Sequence, residues 1–66
     1  MQMKFDTLHI FTVMGATYTF HSGMVIQDDE RILKFSYTAR SDDRMKVATF
    51  LKDNMSGWSV VAAEEE

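Results

Sequence analysis

Between Arg31 and Arg40 the chain alternates in side-chain character without a slip. Leu33, Phe35, Tyr37 and Ala39 fall on one phase, and Lys34, Ser36, Thr38 and Arg40 fall on the other. A period of two belongs to a strand with one face on a core and one in water. The middle of the chain is therefore a strand, and the rest must supply the core it faces.

Two further strand candidates precede it. Ala16 to Gln27 places Ala16, Tyr18, Phe20, Met24 and Ile26 on one phase, with Thr17, Thr19, His21 and Gln27 on the other. His21-Ser22-Gly23 is either a tight turn or a kink at Gly23, and the retained phase favours one long kinked strand. Met3 to Val13 is rich in β-branched and aromatic residues, but its alternation slips. Met3 and Phe5 share a phase that Leu8 and Ile10 leave and Phe11 and Val13 rejoin. A bulge near Asp6-Thr7 explains one slip, and burial on both faces explains the whole pattern. Gly15 and Asp28-Asp29-Glu30 mark the turns between these runs.

The period changes at Ser41. Ser41-Asp42-Asp43 has the form of a helix N-cap with two carboxylates in the first turn. Val47, Ala48, Leu51 and Met55 then follow helical spacing, and Gly57 suits the position after a helix end. Trp58, Val60 and Ala62 form a last strand. The expected fold is α+β, in the order β-β-β-α-β, with one helix packed on one face of a small antiparallel sheet. No repeat or linker divides the chain, so residues 1–66 form a single compact domain, with Glu64–Glu66 a solvated tail.

Composition narrows the function more by exclusion than by indication. The 66 residues contain no cysteine, which removes disulfide staples, thiolate nucleophiles and cysteine-ligated metal sites. With 45% hydrophobic and 26% charged residues the chain has the composition of a folded domain. No Gly-rich phosphate loop or nucleophile elbow is present. The pairs Asp28-Asp29 and Asp42-Asp43 have structural explanations, in a turn and a helix start. No enzyme activity and no catalytic residue are expected. His9 and His21 lie on neighbouring strands without the close spacing of metal ligands, so no metal and no cofactor are assigned. The most apolar run, Leu8 to Met14, is too short for a membrane span, and a cytoplasmic location is expected, that of the host if the protein is virus-encoded.

Charge is distributed unevenly. Residues 1–30 carry a balance of -3, residues 31–52 of +4 and residues 53–66 of -4. Lys34, Arg40, Arg44, Lys46 and Lys52 make the basic centre, which suggests nucleic acid as an alternative ligand. The acidic total of -3 argues against it. Leu8, Ile10, Val25, Ile32 and Val61 fall on the phase opposite the expected core, giving the uncovered sheet face an excess of apolar surface. Met45, off the helical stripe, is an exposed candidate. The candidate partner-binding residues are accordingly Ile32, Val25, Val61, Met45, Lys34, Arg40, Arg44 and Lys46.

These features suggest a small non-enzymatic protein-binding module acting through that face or an exposed strand edge. An inhibitor or adaptor that occludes a larger protein, such as a virus-encoded blocker of a host enzyme or defence protein, has this size and style. A nucleic-acid-binding protein and a homo-oligomeric structural subunit are the alternatives, so a homodimer joins the larger protein as a candidate partner.

Overall fold

The computed structural model describes residues 3–39 and 41–63. Five antiparallel strands make one sheet: β1 (Met3–Thr12), β2 (Thr17–Asp28), β3 (Ile32–Thr38), β4 (Met45–Leu51) and β5 (Met55–Ala62). Their spatial order is β4-β3-β2-β1-β5. A single 3-10 turn, Lys52–Asn54, joins β4 to β5.

The expected helix is not formed, and the α+β assignment is corrected to an almost entirely β fold. Its residues instead become β4 and the short turn. Val47, Ala48 and Leu51 satisfy a helical stripe, but Lys46/Ala48/Phe50 and Met45/Val47/Thr49/Leu51 equally satisfy a period of two. Over seven residues the two periods are nearly indistinguishable. The β-branched Val47 and Thr49 and the aromatic Phe50 suit a pleated surface, and the unpaired edge of β3 decides between them. Ser41-Asp42-Asp43 closes a hairpin rather than capping a helix. The Asp43 N–H donates to the Ala39 carbonyl, and the Asp42 carboxylate accepts from the Arg44 N–H. Asp43 adopts a positive φ of 57°.

The connection from β4 to β5 dictates the shape. These strands are the two edges of the sheet, and four spacings of about 4.8 Å would separate them by about 19 Å if the sheet were flat. Leu51 and Met55 are joined by three residues, which reach at most about 15 Å. The sheet must therefore curl until its edges approach at this end. The Val13 N–H donates to the Asn54 carbonyl at 3.0 Å, tying the connecting turn to the tip of the β1–β2 hairpin.

Curling gives the sheet one inner face, and that face is the core. Phe5, Leu8, Ile10, Val25, Leu33 and Phe35 are buried. Met3, Phe20, Tyr37, Ala48, Phe50, Met55, Trp58 and Val60 pack around them. Phe35 is the hub, with Phe20 at 4.8 Å, Phe50 at 5.9 Å and Phe5 at 6.2 Å between ring centroids. Arrangements of this kind add to the burial of the rings themselves.

Phe5 and Leu8 are three residues apart, so a regular strand cannot point both inward. Two irregularities at one level of the sheet solve this. Against β5 the register shifts between Phe5 and Thr7. On β2, Ser22 takes a positive φ of 54°. The β1–β2 register places Ser22 across from Asp6, between the pairs Phe5–Gly23 and Thr7–His21. Both strands reverse their faces there. Met3, Phe5 and Val25 point inward below the break, and Leu8, Ile10, Tyr18 and Phe20 point inward above it. β2 is one long kinked strand, as the sequence suggests, but its phase is not retained. Val25 goes to the core, and Met24 and Ile26 take the outer face.

Candidate functional site

The structure disperses the predicted site. Val25 is only 3% exposed, and with Leu8 and Ile10 it belongs to the core, so it is withdrawn as a partner-binding residue. Those three side chains leave the outer face, and of the apolar residues expected there Ile32 and Val61 remain. Ile32 stays half-buried on the outer face of β3, across from Leu51. Val61 is exposed on β5. Arg40 lies outside the described residues, as do Glu64–Glu66.

The remaining basic residues do not form one patch. Lys34 stands on the outer face of β3 across from Thr49, whereas Lys46 is across from Tyr37, on the other face of the sheet. Lys46 also pairs with Asp42 at 3.6 Å. Lys52, at the far end of β4, is bound to Asp28. Arg44 is exposed just before β4 begins.

What the structure does bring together lies along β4. Met45, Val47 and Leu51 are 75%, 58% and 56% exposed, and with Thr49 they make the outer row of the strand. The sequence presents three of these residues as parts of a helix, which conceals the row. The signal that reveals it is the period of two from Met45 to Leu51.

The backbone of β4 is equally specific. The Ala39 N–H donates to the Arg44 carbonyl at 2.9 Å, and the Lys52 N–H donates to the Arg31 carbonyl at 2.8 Å. Between these bonds the β3–β4 register runs without a shift. In an antiparallel ladder alternate residues direct both backbone groups to the same neighbour. Lys46, Ala48 and Phe50 therefore bond to β3. Met45, Val47 and Thr49 aim their N–H and C=O groups at the open edge, and Leu51 aims its N–H there, while its carbonyl opens the 3-10 turn that it caps. The same four residues present their side chains on the outer face.

Clefts border both ends of this strand. One of about 490 Å³ opens where Phe50 and Leu51 meet Val13, Met14, Tyr18 and Asn54. Its aromatic wall is the Tyr18–Phe50 contact, with ring centroids 5.9 Å apart. Another of about 570 Å³ lies at the opposite end, where Met45 meets Met24, Ser36 and Val61 beside the break in β1 and β2. Met14, 90% exposed at the hairpin tip, extends the apolar surface beyond the first cleft.

Groups suited to chemistry are sparse. The His9 ring Nδ1 is 3.0 Å from the Thr19 hydroxyl. Among the described residues no three His, Asp or Glu side chains cluster to hold a metal ion. The Asp29 carboxyl is held below its ordinary range, down to about 2. The Ile32 N–H contributes most, followed by the Gln27 amide and the Arg31 N–H. These bonds build the β2–β3 turn, a structural role. No helix among the described residues is long and apolar enough to cross a membrane.

No protein-family model matches the chain, and comparisons with curated proteins and with solved structures give no match.

Proposed function

We infer that this chain is a non-enzymatic protein-binding module that takes up an extended strand along the open edge of β4. One observation carries the reading. Seven residues of regular strand end the sheet with four N–H and three C=O groups facing outward, flanked by exposed Met45, Val47 and Leu51, whose own carbonyl opens the 3-10 turn. Natural edges are commonly blunted by proline, a bulge or charge. β4 has no proline and no register shift against β3, and Lys46 is its only charged residue. Main-chain bonds give such an edge its affinity, and alternate side chains of the incoming strand give its specificity. The cleft beside Tyr18 and Phe50 and the outer row offer those side chains two apolar surfaces. Occlusion of a larger protein, as an inhibitor or adaptor does, fits this mode of action.

The nucleic-acid reading draws less support, because the register divides Lys34 from Lys46 and Asp28 engages Lys52.

Selection from a displayed library of short random peptides tests the reading. The expected ligands alternate apolar residues with a period of two, and their binding is lost in Thr49→Pro. This substitution removes one outward N–H without removing a bond to β3. Ligands without that period, or binding indifferent to Thr49→Pro, overturn the reading.

A further inference from the structure

We propose that the strand which covers β4 is β4 of a second copy, paired antiparallel about a two-fold axis at Ala48. This rests on the reading of β4 as the recognition edge and names its occupant.

The residues of β4 are self-complementary about Ala48. Antiparallel pairing of two copies through their open edges must join outward-facing residues in the hydrogen-bonded pairs. Centring on Ala48 meets that condition. Met45 lies across from Leu51 of the second copy, and Val47 across from Thr49. With their symmetry mates these are four hydrogen-bonded pairs, and because the Leu51 carbonyl of each copy is held in the 3-10 turn they supply about six inter-chain bonds. Ala48 meets its own copy in a non-hydrogen-bonded pair, where Cα atoms come within about 4.5 Å and side chains crowd most. The smallest side chain of β4 therefore occupies the closest approach.

Both faces match in this register. The outer rows of the two copies join Met45, Val47, Thr49 and Leu51 into one apolar-rich surface. On the inner side Lys46, the only charge within β4, lies across from Phe50 rather than another lysine. A cation beside an aromatic ring is a favourable neighbour. Beyond the paired strand, Arg44 comes opposite Lys52, whose charge Asp28 already offsets. No paired position in β4 opposes like charges.

A standard interface buries about 800 Å² on each partner, and two edge strands laid side by side supply less, so the contact belongs to the weak, concentration-dependent class. A second copy on β4 competes with any other strand for the same edge.

Sedimentation of the full chain from micromolar to millimolar concentration tests the proposal, with an isotope-filtered NMR experiment on a mixture of labelled and unlabelled protein. The expected mass rises towards twice 7.6 kDa, and the mixture shows an inter-chain contact between the two Ala48 α-protons. The double variant Val47→Lys with Thr49→Lys sets lysines directly opposite each other across the seam, where like charges destabilise pairing. It remains monomeric, and mixing it with Val47→Glu and Thr49→Glu restores the dimer. Both sites are exposed, so folding does not confound the result. A wild-type chain that stays monomeric, or a dimer that both charged variants retain alone, overturns the proposal. Library peptides that still bind β4 of a strictly monomeric chain would leave the edge reading standing while the two-fold pairing falls.

Discussion

Gly23 on β2 lies directly against the Ser36 carbonyl of β3, with no room between them for a Cβ atom. A methyl group there would overlap that carbonyl oxygen and stand 2.7 Å from the Phe5 ring. The close approach occurs beside the positive φ of Ser22, where β1 and β2 reverse their faces. Gly23→Ala must push β3 away or displace Phe5. The expected cost is about 3 kcal/mol, the upper part of the range for overpacking a core. Urea unfolding measures it. A loss below about 1 kcal/mol would show that the two strands separate easily here.

Phe35 concentrates the core more than any other side chain, since it meets Phe5, Phe20, Tyr37 and Phe50. Phe35→Ala is expected to cost about 3–5 kcal/mol. For a domain this small, that loss leaves little or no folded population at room temperature. Far-ultraviolet circular dichroism and the same urea titration report the outcome.

Asp29 makes the β2–β3 turn sensitive to acid. Its folded pKa of about 2 lies below the ordinary value of 3.8. The unfolded chain therefore takes up a proton first as the pH falls. The contribution is complete above about pH 4, and it is lost as the pH falls towards 2. An NMR titration of the Asp29 carboxyl is expected to show its midpoint near 2. In Asp29→Asn the pH dependence of stability over that interval should flatten, because the titrating group is gone.

Proline substitutions separate the two edges of β4. Thr49→Pro removes a donor that faces outward, so the variant should remain folded at a cost of about 1 kcal/mol. Ala48→Pro removes a bond to β3 and should cost about 3 kcal/mol or more. Equal effects on thermal unfolding would refute the assigned direction of the backbone groups.

The strands β1, β2 and β3 were legible because each carries its own pattern. Leu33, Phe35 and Tyr37 face inward as their alternation predicts, and Gly15, with φ of 90°, makes its turn. The slip at Asp6 announced the bulge. The reversal at Ser22 had no such sign, since Tyr18, Phe20, Met24 and Ile26 share a phase in the sequence. Only the coupling to Asp6 across the ladder moves Val25 into the core, and that coupling is tertiary. β4 reads as a helix for a related reason: its identity as a strand comes from the free edge of β3, and Ser41-Asp42-Asp43 serves a hairpin as well as a helix cap. The candidate site suffered in proportion. Met45 is exposed as its place off the helical stripe suggests, whereas Val47 and Leu51 lie on that stripe and read as buried helix positions.

Residue-resolved amide exchange across β4 distinguishes its paired edge from its open one. In dilute protein the amides of Lys46, Ala48 and Phe50 should be protected, and those of Met45, Val47, Thr49 and Leu51 should exchange rapidly. When a strand covers the edge, from a captured peptide or from a second copy at millimolar concentration, the latter four should become protected as well. Uniform protection of all seven in the dilute monomer, or four amides that stay rapid when the ligand is bound, would contradict β4 as the recognition edge.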